Sequence, residues 1–355
     1  MSSMLARELG LRGHSVTVAT DVLAPPEYDE RFDFQVVRAR PFREIVKVAL
    51  RADVIHASGA SVVAAALSIA SRRPLVVTHH GYQARCLEGL GWHGKESCRF
   101  DLWRCFQLTR QHRGMPFALR QLARFPLVRL QVHRAAVNVA VSDFVGRAIG
   151  APRTHVIHNC ADTEIFRPDS SANRLSRFLF VGRLVGEKGV GALIDAIGLA
   201  RDQGRLVEAD LVGEGPIEAD LRRQVEALDI GDRVRFLGPL QGQQLADRVR
   251  SSHAVVVPSA WDEAFGVVAA EALCCGRVAI VSGRGGLPEV VAGLETIVAG
   301  ESPQAWTSAL LRSLDDSAWW KMQESLVPAL AGRFEPDLFV EKYLRVYRQA
   351  LGQQG

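Results

Sequence analysis

Two consecutive doubly wound α/β domains with a deep cleft between them are what this sequence predicts, and three observations carry the prediction. The chain has 355 residues, beyond the size at which one hydrophobic core stays efficient, so two domains of ordinary size are expected. Short apolar or β-branched runs alternate with helix-like stretches, the pattern of parallel strands buried on both faces. That rhythm breaks in a polar, proline-containing stretch and then restarts, which implies a second sheet.

In chain order, Met4 to Leu11 reads as a helix with Leu5, Leu9 and Leu11 on its apolar face and Gly13 as its stop. Strands are expected at Ser15 to Thr20, Phe34 to Val37, Val54 to Ala57, Leu75 to Thr78 and Val137 to Val141. A doubly wound unit ordinarily opens on a strand and a Gly-containing turn. Neither stands at this start, so the first structural unit is expected to be missing, and an upstream extension is expected to raise activity. Val156 to Ser170 (VIHNCADTEIFRPDS) reads as the linker. Strands resume at Phe178 to Val181, Ala209 to Val212, Val234 to Leu237, Ala254 to Val257 and Val278 to Val281. After Pro336, Phe339, Tyr343 and Val346 or Tyr347 recur at helical spacing, giving an amphipathic terminal helix expected to pack across the junction. The expected division is 1–166, 167–335 and the terminal helix 336–355.

Composition narrows the function classes. Hydrophobic residues make up 48% of the chain and mean hydropathy is +0.04, which describes an ordinary globular protein rather than a disordered one. A formal charge of +4 is small for this length, so no nucleic-acid partner is expected. The start lacks a secretory h-region and no stretch offers about 20 uninterrupted apolar residues, so a cytoplasmic location is expected. The six cysteines show no CxxC spacing and are expected to be reduced thiols.

The segment richest in chemistry is VVVPSAWDEAFGVVAAEALCCG, from Val255 to Gly276: a buried strand, a turn with Pro258 and Trp261, and a helix expected to begin near Phe265. With Glu263 just before the helix and Glu271 two turns inside it, the two acids would stand roughly 12 Å apart along the axis. That is the span from a sugar ring across a diphosphate to a ribose. Amides near Gly266 and Val267 would meet the diphosphate, where the helix dipole favours anions. A dipole-complementing first-turn acid and a solvated helix acid are the plain alternative. Against it, Glu271 has small apolar neighbours, and an acid there is costly without a partner. Upstream, FLFVGRLVGEKGVG brings Arg183 and Lys188 off a strand's carboxyl end together, placed to neutralise a diphosphate leaving group or simply solvated in a βα loop. LVGEGP at Leu211 to Pro216 lacks the third glycine of a dinucleotide fingerprint, so close packing of its turn near the ligand is the better reading. RGGLPEV, from Arg284 to Val290, offers a further glycine turn beside the same crevice.

GRLVGEKG, the WDEAFGVVAAE block and GGLPEVV, in this order and spacing, resemble the family 4 retaining glycosyltransferases, glycosyl transferases group 1, of the GT-B fold with two Rossmann-like domains. RGHSVTVAT, DVIHASG, PLVVTHHG, VAVSDFVG and VIHNCADTEIF each resemble that family's strand ends, so the likeness spans most of the chain. It implies a metal-independent enzyme without a cofactor, whose nucleotide-diphosphate sugar is the donor substrate. Arg183 and Lys188 would hold the donor diphosphate, Glu271 the ribose and Glu263 a sugar hydroxyl. Phe265, Gly266 and Val267 would line the donor, and His80 would sit beside the transferred sugar. The family's reaction keeps the anomeric configuration. Consecutive strand residues point to opposite sides, so His79 and His80 cannot both face the site, and the position before Gly81 favours His80. Ala264 stands where the family often has proline, a change of turn rigidity expected to be tolerated.

The expected acceptor is a cell-envelope glycan or a lipid-linked oligosaccharide. Arg99 to Arg134 carries Arg104, Arg110, Arg113, Arg120, Arg124 and Arg129 among apolar residues, which suits peripheral contact with the anionic inner face of a membrane or, alternatively, two solvated helices. Cys86, Cys98 and Cys105 with His79, His80 and His93 match no standard zinc spacing. Tyr82 to Phe106, with Gly89, Gly91 and Gly94, therefore reads as a mobile loop over the acceptor cleft, and no metal ligands are expected. A degenerate nucleotide-sugar-binding protein without turnover and a GT-B-fold sugar epimerase are the alternatives carried.

Overall fold

The computed structural model describes residues 2–22, 24, 29, 32–38, 42–93 and 96–353; Gly94 of the glycine-bearing loop and the last two residues of the terminal segment lie outside them. The chain divides into two compact units, one of residues 1–93, 98–159 and 336–355, the other of 94–97 and 160–335. The division thus falls between Asn159 and Cys160, ahead of the boundary expected at 166. Cys160, Ala161 and Phe166 are buried, and the Ala161 amide donates to the Phe334 carbonyl at 2.9 Å, so this polar-looking stretch is already core of the second unit.

The first unit contains a four-stranded parallel sheet in the order Ile55–Ser58, Leu75–His79, Val137–Ala140, Thr154–Val156. Leu75–His79 is buried along its whole length, which is why it reads as an unbroken apolar run instead of an alternating one. Thr17–Thr20 and Gln35–Arg38 form a separate parallel pair. The opening helix is Ser2–Leu11; Leu5, Ala6 and Leu9 are buried, whereas Leu11, expected on the apolar face, is 67% exposed at the helix end. The terminal helix Pro336–Ala350 belongs to this unit and buries Phe339, Val340, Tyr343 and Val346. His56 locks it down: Nδ1 lies 2.8 Å from the Tyr347 hydroxyl and Nε2 2.8 Å from Thr78 Oγ1, which is 3.0 Å from the Tyr343 hydroxyl. Burial holds His56 down to about 4, so it serves this network as a neutral ring.

The second unit is a six-stranded parallel sheet in the order Val234–Gly238, Glu208–Val212, Arg177–Val181, Val255–Val257, Ala279–Ser282, Ile297–Val298. By sequence this is the 3-2-1-4-5-6 order of a doubly wound Rossmann-like fold, and its strand order reverses between Arg177–Val181 and Val255–Val257. Ligands of such sheets bind beyond the carboxyl ends of the strands at that reversal. No helix among the described residues is long and apolar enough to cross a membrane.

Candidate functional site

Both turns that leave the reversal point carry residues singled out from the sequence. After Arg177–Val181 the chain passes exposed Arg183, tightens into a 3₁₀ turn at Gly186–Lys188, and enters the helix Val190–Asp202 through Gly189 at φ 70°. After Val255–Val257 come Pro258, Ser259, Trp261 and Glu263. Lys188 Nζ donates to Glu263 Oε1 at 2.6 Å, and Ser259 Oγ donates to the same oxygen at 2.7 Å. Lys188 Nζ also stands 5.4 Å from the centre of the Trp261 ring. Glu263 is 8% exposed, yet its charge is met by a cation and a hydroxyl, which is what makes a buried carboxylate tolerable. Both donors bond Oε1, which leaves Oε2 for a further hydroxyl. Arg183, in the same turn as Lys188, is exposed and makes no side-chain hydrogen bond or ion pair among the described residues.

The helix after Glu263 differs from expectation. It spans Val267–Cys274, opening through Gly266 at φ 107°, so Glu271 lies little more than one turn inside it rather than two. Phe265, expected to line a ligand, is 2% exposed and packs edge-on against Phe334 at 5.9 Å, because the left-handed turn at Gly266 directs it to the core. Gly266 and Val267 stay partly exposed, and no side chain caps this helix, so its first amides are open to an anion. Burial pushes the Glu271 carboxyl up to about 7, with the nearby Asp162 charge adding to the effect.

Three glycines in two turns brace the site. A Cβ on Gly285 would lie 2.2 Å from the Glu263 carbonyl oxygen, and the Gly286 amide donates to that oxygen at 2.7 Å. A Cβ on Gly213 would lie 1.9 Å from the Gly182 oxygen, and one on Gly215 2.2 Å from the Leu184 oxygen. Thus RGGLPE clamps the backbone of Glu263, and LVGEGP packs against the backbone on either side of Arg183. Sequence reasoning missed Ser259 and this bracing role of Gly285; a serine directly after the strand-ending Pro258 was the only signal for the first. A cavity of about 370 Å³ lined by Asp169, Leu175, Asp247 and Arg250 among others opens at the amino ends of the strands, the opposite end from this chemistry.

In the first unit, His79 closes the strand Leu75–His79 fully buried, with Nε2 3.0 Å from Asn138 Oδ1. His80 follows it at the strand's carboxyl end, partly exposed, and burial, with His79 adjacent, holds it down to about 4, so it is a neutral imidazole at physiological pH. Of the two neighbours, His80 is the one left partly exposed and His79 the one buried in the sheet.

Tyr82 to Phe106, expected to be a mobile loop without metal ligands, has a core of its own. Cys86, His93, Cys98 and Cys105 are all buried, with their ligand-type atoms within 4.8 Å of one another. Next to it run two helices, Leu102–Arg113 and Met115–Arg134. Arg110, Arg113, Arg120 and Arg124 are exposed on them together with Trp103, Met115, Leu119, Leu127 and Leu130.

Residues 3–165 match the family model described as Glycosyltransferase Family 4, and residues 162–329 that of Glycosyl transferases group 1. A D-inositol 3-phosphate glycosyltransferase of Corynebacterium glutamicum is 37% identical over 184 residues, 46% of this chain and 44% of that protein. One from Rhodococcus opacus is 32% identical over 254 residues, 66% of this chain and 56% of that protein. The chain therefore spans about half the length of the curated relatives it matches. Among solved structures, HepE of Anabaena in complex with UDP and glucose aligns over 97% of this chain and 94% of its own at 21% identity and a TM-score of 0.73, and sucrose-phosphate synthase of Thermosynechococcus elongatus over 99% and 92% at 21% identity and 0.69. These neighbours share its two-domain α/β GT-B fold. Together the two models span nearly all of a chain whose sheet reversal brings Lys188 and Glu263 together: the chain belongs to the family 4, group 1, glycosyltransferases.

Proposed function

We propose that the chain transfers a sugar from a nucleotide-diphosphate sugar to a glycan or lipid-linked acceptor, with retention of anomeric configuration and without a catalytic metal in the donor site. The observation that carries this reading is the Lys188–Glu263 pair at the sheet reversal, whose two turns also carry exposed Arg183 and lead into an uncapped helix N-terminus. Lys188, Arg183 and the amides at Gly266 and Val267 present positive charge to a diphosphate, and Oε2 of Glu263 is placed to accept from a sugar hydroxyl. Glu271 would accept from the ribose diol. The donor class is supported by HepE, which binds UDP and UDP-glucose, and the inositol-phosphate relatives extend the acceptor candidates to a phosphorylated polyol.

Thermal shifts with UDP, GDP, ADP and dTDP test the donor site, and Glu271→Gln sharpens the test. An acid whose folded pKa lies above its unfolded value binds its proton more tightly in the native state. Its contribution is therefore favourable below the ordinary carboxylate range and is lost as pH rises through about 7. Glu271→Gln is expected to raise Tm at pH 8 and to change it far less at pH 5. The same substitution is expected to diminish the shift produced by the preferred diphosphate. A variant that is stabilised yet keeps the full nucleotide shift would remove Glu271 from the ribose site.

The acceptor side is tested on the helices Leu102–Arg113 and Met115–Arg134. Met115, Leu119, Leu127 and Leu130 are spaced to share one face of the longer helix, all exposed, with Arg113, Arg120 and Arg124 about them. This arrangement suits shallow insertion into an anionic bilayer surface. Co-sedimentation with phosphatidylglycerol vesicles at low salt is expected, lost on raising salt and in Leu119→Glu/Leu127→Glu. Equal sedimentation of that double variant would refute the surface.

A further inference from the structure

We propose that Cys86, His93, Cys98 and Cys105 form a closed, four-coordinate zinc site. The residues lie in a C-x6-H-x4-C-x6-C spacing that matches no common zinc pattern, so only the folded chain brings them together. Cys86 Sγ and Cys105 Sγ are 3.4 Å apart, too far for a disulfide, whose sulfurs stand about 2.05 Å apart. His93 Nε2 lies 3.5 Å from Cys86 Sγ and 3.3 Å from Cys105 Sγ. A tetrahedron built on Zn–S of about 2.3 Å and Zn–N of about 2.0 Å has edges of roughly 3.5–3.8 Å, so a small expansion suffices to seat the ion.

The surroundings are those of a ligand set. Glu88 Oε1 is 2.9 Å from His93 Nδ1, which fixes the proton on Nδ1 and turns the Nε2 lone pair toward the sulfurs, as carboxylate–histidine–metal arrangements do. The Gly91 amide donates to Cys86 Sγ at 3.3 Å and the Leu87 amide to Cys105 Sγ at 3.2 Å, contacts that stabilise thiolates. Immediately after Cys98, Arg99 and Phe100 both adopt left-handed backbone, at φ 49° and 56°. Two consecutive non-glycine residues in that region persist only where the surroundings over-determine them, and a metal tie between Cys98 and Cys105 would do so. Asp101 caps the helix Leu102–Arg113 and sets Cys105 in its first turns, aimed at the cluster.

Three thiolates and one imidazole in tetrahedral reach select a soft divalent ion over magnesium or calcium, and four protein ligands leave no open position. The ion is thus structural. It would tie the turn at Cys86, the short strand Trp92–His93 and the segment at Cys98 to the helix that carries Cys105, in a stretch that starts directly after His80: the Tyr82 amide donates to the Gly89 carbonyl at 2.7 Å, and a Cβ on Gly81 would lie 2.9 Å from that oxygen. The turn that positions His80 rests on the metal-held loop.

The test is the metal content of the full chain, purified under reducing conditions without chelator. About one zinc per chain is expected. Cobalt-exchanged protein should show the visible absorption of a tetrahedral thiolate site, and chelation should lower Tm reversibly, with recovery on adding zinc. Cys98→Ser and His93→Ala should lose the metal, while Cys160→Ser and Cys274→Ser, outside the cluster, should keep it. A cooperatively folded wild-type protein that neither contains zinc nor takes it up would overturn the proposal, as would full metal retention in Cys98→Ser/Cys105→Ser or a Cys86–Cys105 disulfide in the reduced isolate. None of these readouts depends on transferase activity.

Discussion

Lys188→Ala is expected to lower kcat/KM for sugar transfer by about 100- to 1000-fold, the usual cost of losing one preorganised charge from a leaving-group site. The lysine is held by the protein itself, with its Nζ 2.6 Å from Glu263 Oε1 and 5.4 Å from the centre of the Trp261 ring, so its position does not depend on a flexible side chain finding a phosphate. The substitution also strips Glu263 of its cation while leaving it nearly buried, with only Ser259 Oγ donating, and that alone would depress stability. Lys188→Ala/Glu263→Gln separates the two effects. Removing the orphaned charge should restore most of the lost Tm, yet turnover should stay low, since neither group remains for donor or sugar. Recovery of activity along with stability would show that Lys188 acts on the fold and not on the leaving group.

How much of this was legible beforehand follows from which contacts are local. The inner strands of both sheets were readable because each is buried on both faces and so appears as an apolar run; Thr154–Val156 and Ile297–Val298 were not, being too short to carry a pattern. Glu263, Glu271, Arg183 and Lys188 stand out in the sequence because a strand end, a turn and a helix start are sequence-local features. The helix begins at Val267, two residues later than the sequence implies, since the left-handed Gly266 delays it and sends Phe265 inward. Ser259, Gly285 and the fourfold Cys/His cluster escaped for a common reason. Their meaning lies in partners brought close by tertiary packing, as when Gly285 makes room for the Glu263 carbonyl, and no periodicity records that.

Gly189→Ala is expected to cost about 2–4 kcal/mol, combining the left-handed backbone penalty with a clash. Gly189 sits at φ 70°, and a Cβ there would lie 1.8 Å from the Pro258 carbonyl oxygen. That oxygen is backbone at the end of a neighbouring strand and cannot swing aside, so the two turns of the site would have to part. At about 2–4 °C per kcal/mol for a unit of this size, Tm should fall by roughly 5–15 °C. Two further glycines apportion the loss. Gly204 has φ 71° with no atom within 4 Å of its Cβ position, so Gly204→Ala registers the backbone penalty alone. Gly186, in the same turn as Lys188, meets nothing within 4 Å and has no positive φ, so Gly186→Ala should be nearly silent in Tm. If Gly189→Ala costs no more than Gly204→Ala, the two turns are not held in contact, and the argument that their approach fixes Lys188 against Glu263 fails. A clearly larger loss, with nucleotide-induced stabilisation reduced as well, would tie the packing of the sheet reversal to binding there.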